Sequence, residues 1–91
     1  MKDLNEARLQ LNTIDDEMKS LFLKRMSIIK EIAEYKKSNN LPIFDEKREN
    51  EMKNRLSADT SEMKKYYIEF LDTILKESKK YQETIVNLWI K

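Results

Sequence analysis

The chain has 91 residues, with 18 Lys plus Arg against 17 Asp plus Glu, one Pro, and no Gly, His or Cys. The lack of Gly argues against Gly-rich phosphate loops and dinucleotide fingerprints, and the lack of His and Cys excludes an ordinary zinc site, a thiolate nucleophile, a disulfide and an imidazole proton shuttle. Without Gly, His or Cys neither metal nor cofactor is expected and any chemistry must run on Arg, Lys, carboxylates, hydroxyls or amides, while a net charge of +1 gives no bulk attraction to nucleic acid or anionic membranes.

Strong helix formers throughout, with 38% charged residues, predict an all-α chain, a single domain over residues 1–91, broken in two places. The first break is Ser38-Asn39-Asn40-Leu41-Pro42, where Asn can take the left-handed cap conformation and Pro42 forbids continuation. The second is Ser57-Ala58-Asp59-Thr60-Ser61, in which Asp59 and Glu62 have the spacing of a capping box. Three helices are therefore expected, over residues 4–37, 45–56 and 60–90. The charged opening and the absence of any run of 18 apolar residues predict neither a signal peptide nor a membrane span, and hence a cytoplasmic protein.

The first helix would be roughly 50 Å long, whereas a compact globule of this size is only about 30 Å across. Its apolar stripe of Leu4, Ala7, Leu11, Ile14, Met18 and Leu21 resumes at Ile28, Ile32 and Tyr35. So long a stripe calls for another chain, and a homodimer is expected. Between Leu21 and Ile28 the same spacing lands on Arg25. A guanidinium at a core position needs an acidic partner or an anionic ligand, or serves as a buried, register-fixing group. Lys36 lies eleven residues on, almost on the same face, and is either a helix-end lysine answering the dipole or a second cation for a small anion. Arg8 shares the heptad series of Asp15, Phe22, Ile29 and Lys36. It is either a flanking surface arginine or, being about 25 Å from Arg25 along the axis, a ligand group for the site of another subunit.

In the second helix Asp45, Arg48, Glu49 and Met52 share a face, with Asp45 a natural N-cap and Arg48 with Glu49 a possible solvated ion pair. The third carries the stripe Leu71, Leu75, Ser78, Gln82, Ile85 and Trp89, in which Ser78 and Gln82 interrupt the apolar run. Both need partners, in a core network or a ligand site. Lys64-Lys65 and Lys79-Lys80 read as solvated faces.

Taken together these residues resemble the all-helical (type II) chorismate mutases over nearly the whole chain. The likeness is carried by residues 4–15, Leu23-Lys24-Arg25-Met26, Glu34-Tyr35-Lys36-Lys37, and above all Leu41-Pro42-Ile43-Phe44-Asp45-Glu46-Lys47-Arg48-Glu49, with Ser78 and Gln82 completing it. The resemblance implies an intertwined, all-helical homodimer that converts chorismate to prephenate in Phe and Tyr biosynthesis, without cofactor. It implies substrate binding by Arg8 (from the other subunit), Arg25, Lys36, Asp45, Arg48, Glu49, Ser78 and Gln82. Lys36 and Gln82 would donate to the ether oxygen, Arg25 would grip a carboxylate and Glu49 would accept from the ring hydroxyl. Two alternatives stay open: a lyase releasing pyruvate from isochorismate, and a non-catalytic helical dimer that binds chorismate or prephenate. The Asp45 to Glu49 segment favours the mutase over the lyase, and the Lys36 and Gln82 pair argues against a mere binder.

Overall fold

The structure is a computed structural model in which residues 3–56 and 58–87 are described. It is all-helical, with α1 at Leu4–Ser38, α2 at Glu46–Leu56 and α3 at Lys64–Asn87, and no strand among the described residues. The 35 residues of α1 contain neither Gly nor Pro, so nothing interrupts its hydrogen-bond ladder, and they set the 55 Å long axis of the molecule.

The end of α1 follows from two asparagines. Asn40 adopts φ 54°, the left-handed region, and its N–H donates to the Lys37 carbonyl at 3.4 Å while the Leu41 N–H donates to the Lys36 carbonyl at 2.8 Å. These bonds form a Schellman cap that satisfies the last carbonyls of the helix. The Asn39 side chain adds a bond from Nδ2 to the Tyr35 carbonyl at 2.8 Å, and Pro42 then keeps the chain extended. Asp45 opens α2 as expected, its Oδ1 accepting the Arg48 N–H at 3.0 Å. Glu46 and Glu49 in the first turn and Lys53 and Arg55 in the last complement the helix dipole.

The third helix starts later than residue 60. Asp59 Oδ1 accepts from the Ser61 N–H at 2.8 Å and Ser61 Oγ from the Met63 N–H at 3.1 Å, so both side chains close local turns two residues on and no Asp59–Glu62 capping box forms. Short polar side chains compete with the helix ladder in this way, and regular helix begins only at Lys64. The expected end at residue 90, and Trp89 with it, lie outside the described residues.

α3 packs on the C-terminal part of α1. Leu71, Leu75, Ser78, Gln82 and Ile85, the stripe read from the sequence, are all buried. The buried positions of α1 are Ile29 and Ala33, one step round the helix from Ile28 and Ile32, which are 56% and 40% exposed. Within one chain α1 thus meets α3 beside the predicted stripe, and Ala33, wholly buried, has so small a side chain that the helices can approach closely. Every residue from Arg8 to Lys24 is exposed, including Leu11, Ile14, Met18 and Leu21. The surface of 7860 Å² is well above the roughly 5600 Å² of a compact monomer of this mass. Likewise the radius of gyration is 17.0 Å where about 12 Å would be compact. Among the described residues no helix is long and apolar enough to cross a membrane.

The cap gives a direct test. Asn40→Gly should hold or raise stability by about 0.5 kcal/mol, whereas Asn40→Val should cost about 1 to 2 kcal/mol, because a β-branched residue resists positive φ. Thermal midpoints by circular dichroism would check this, and equal midpoints would show that the left-handed turn does not limit stability.

Candidate active site

A cavity of about 420 Å³ lies where α1, α2, α3 and the α1–α2 loop converge. Arg25, Lys36, Asp45, Arg48, Glu49, Ser78 and Gln82, singled out in the sequence, all line it. Arg8 does not. It is exposed on the part of α1 that projects away, about 25 Å along the axis from Arg25.

Two polar rungs cross the α1–α3 seam. Arg25 Nη1 donates to Ser78 Oγ, and the Ser78 hydroxyl in turn donates to the Ile74 carbonyl at 2.8 Å. Lys36 Nζ donates to Gln82 Oε1 at 3.0 Å and to the Ile43 carbonyl at 2.7 Å. Ser78 and Gln82, only 3% and 5% exposed, therefore have partners, as buried polar groups require. With Oε1 accepting from an ammonium, the Gln82 amide is oriented so that its Nε2 hydrogens remain for another acceptor. Lys36 likewise retains one of three donor hydrogens, since two are committed.

The third face of the cavity is acidic and basic together. Glu49 does not pair with its neighbour Arg48, which reaches Glu51 loosely at 3.9 Å on the surface. It pairs instead with Lys79 on α3, Nζ to Oε1 at 3.2 Å, and Oε2 is buried without a hydrogen-bond partner among the described residues. The cavity lining thus holds four cations, Arg25, Lys36, Arg48 and Lys79, against two carboxylates, Asp45 and Glu49, a net charge of +2. The pKa of the Arg25 guanidinium is lowered from its ordinary value, first by burial and then by the positive charge of Arg48, with Tyr67 acting in the opposite sense. A bound anion would reverse that penalty, because it favours the charged form.

Lys79 is a correction to the sequence reading, which placed Lys79-Lys80 on a solvated face. Lys80 does stay there, paired with Glu77 at 3.0 Å on the surface. Lys79 turns inward, because its position beside Ser78 and three residues before Gln82 puts it at the flank of the buried stripe. The apolar lining, Ile28, Ile29, Ile32, Ile43, Met52 and Leu75, was also not assigned to a site from sequence. Those residues supply a shape that could hold a ring, while the charged groups supply orientation.

Such a cavity combines a net positive lining, which favours an anion, with an apolar wall and side-chain donors. Comparison with characterised proteins and comparison with solved structures each gave no match. The family model described as Chorismate mutase type II matches residues 7–83, which include all eight of the residues picked out in the sequence. By that match, over most of its length, the chain belongs to the type II chorismate mutase family.

Proposed function

We propose that this chain rearranges chorismate to prephenate, in an intertwined homodimer whose two sites are each completed by the partner's Arg8. The observation that carries the reading is the meeting of Lys36 and Gln82 at 3.0 Å inside a cavity of net charge +2. In the rearrangement an ether C–O bond breaks as a C–C bond forms, and negative charge grows on the ether oxygen. The remaining Lys36 hydrogen and the Gln82 Nε2 hydrogens are donors for that oxygen, fixed beforehand by bonds to Ile43 and to each other. Preorganised donors of this kind are each worth on the order of 3 kcal/mol of barrier.

The substrate is a dicarboxylate that reacts only when its enolpyruvyl side chain folds over the ring. Arg25 takes one carboxylate by charge-assisted hydrogen bonds, and the partner's Arg8 takes the other, so that the compact conformer is held. Ser78 steadies Arg25 in the empty cavity; to donate to a carboxylate it must turn its proton from the Ile74 carbonyl. Glu49 accepts from the ring hydroxyl, next to Asp45 at the head of α2. Arg48 shapes the field around Arg25. No step needs a metal, a cofactor or a proton shuttle.

The dimer rests on a separate observation. The excess of about 2200 Å² over a compact monomer is the scale that each partner of an obligate dimer buries. Its source is the N-terminal part of α1, where Arg8 resides.

The direct assay follows chorismate absorbance with product analysis. Prephenate without pyruvate is the expected outcome, pyruvate release would identify a lyase instead, and binding without turnover would identify a binding domain. Arg25→Met should lower kcat/KM by at least about 100-fold while leaving the thermal midpoint unchanged or raised, since burial already disfavours the charge in the empty protein. A midpoint far below wild type with activity retained would make the Arg25–Ser78 bond a structural pairing. Mixing inactive Arg8→Ala and Lys36→Ala subunits by refolding should restore activity, because each mixed dimer has one intact site. No recovery in verified mixed dimers would place Arg8 outside the site.

A further inference from the structure

Lys79 belongs to no part of that reaction, yet it makes two contacts that bear on it. It projects from α3, forms a 3.2 Å ion pair with Glu49 of α2, and sets its ammonium 5.1 Å from the centre of the Phe44 ring in the α1–α2 loop. The Glu49 side chain is sheltered, 19% exposed, and the pair engages Oε1 only. Oε2 is buried and has no hydrogen-bond partner among the described residues. A carboxylate oxygen in that condition is costly unless something in the cavity donates to it.

We propose that Lys79 is a positioning residue: clamped between the Phe44 ring and Glu49 Oε1, it fixes the carboxylate so that Oε2 is the oxygen offered to a substrate hydroxyl. The proposal rests on the reading of Glu49 as the hydroxyl acceptor. The physical argument is one of rotational freedom. A Glu at the first turn of α2 has three side-chain torsions, and α2 itself buries no residue, so its own helix does not lock the carboxylate. An ammonium on a neighbouring helix does so by an ion pair, and an aromatic face beneath that ammonium limits where the charge can sit. Three elements are thereby tied at one point of the cavity rim. The loop supplies the ring, α2 the acceptor and α3 the cation.

Steady-state kinetics with chorismate on the full chain test this, comparing Lys79→Met, Lys79→Arg, Glu49→Gln and the double variant Lys79→Met/Glu49→Gln. Lys79→Met should lose roughly 10- to 100-fold in kcat/KM, the scale of one hydrogen bond to a charged group. Lys79→Arg, which keeps both the ion pair and the ring contact, should regain most of that loss. In the Glu49→Gln background Lys79→Met should cost less than about twofold, because the group it positions is no longer a carboxylate. A purely structural lysine would not give this dependence on Glu49, and thermal midpoints recorded alongside separate folding from function. Should Lys79→Met lower the midpoint, Lys79→Gln gives the same comparison with a polar side chain.

Equal losses from Lys79→Met in both backgrounds would mean that the ammonium meets the substrate itself, and would overturn the positioning role in an enzyme that still works. Wild-type kinetics in Lys79→Met would overturn it as well. A wild-type chain that leaves chorismate unchanged would overturn the proposed reaction, and the role of Lys79 with it.

Discussion

Two cations on α1 occupy positions where a helix pair would ordinarily bury apolar side chains, and each must find an oxygen. Arg25 and Lys36 are about 16 Å apart along their helix, while Ser78 and Gln82, which receive them, are only about 6 Å apart along α3. Only long side chains leaning toward each other can complete both rungs. The buried apolar residues Ile29 and Ala33 of α1 and Leu71 and Leu75 of α3 accompany the two polar rungs.

Charge then decides what the cavity can hold. Four cations against two carboxylates leave it positive when empty, and burial together with Arg48 already works against the charge on Arg25. Under the proposed reading the site receives a dianion, whose binding would remove the penalty. A chain without His or Cys has no side chain whose ordinary pKa lies near neutrality, which suits a reaction that transfers no proton. Under the proposed reading the rearrangement meets that condition: fixed donors at Lys36 and Gln82 await charge on an oxygen, and the remaining groups hold a conformer.

The other half of α1 is governed by surface rather than charge. From Arg8 to Lys24 every residue is exposed, and Leu11, Ile14, Met18 and Leu21 are among them. Under the proposed reading this apolar surface is the dimer interface. In the proposed dimer the same helix that needs a cover carries Arg8 to the neighbouring site, so assembly and catalysis would share one cause.

Much of this could be read directly from the residues. The lack of Gly and the single Pro predicted one unbroken long helix, and Asn40 with Pro42 marked its end to within a residue, because cap chemistry is local. The alternation of Leu71, Leu75, Ser78, Gln82 and Ile85 identified the buried face of α3, since a helix has one period and one face. Arg25, Ser78 and Gln82 stood out as polar residues on apolar stripes, and Lys36 as a second cation almost on the face of Arg25. What the sequence could not decide is anything set by the approach of one helix to another. Local turns at Asp59 and Ser61 outcompeted the expected helix start. The packed face of α1 fell one step from the predicted stripe, on Ile29 and Ala33, because α3 alone determines which side is covered. Glu49 passed over Arg48, its neighbour in sequence, for Lys79, thirty residues away. Periodicity determines which residues share a face of their own helix, whereas an ion pair forms with whichever charge the packing brings within reach, and that choice belongs to the tertiary structure.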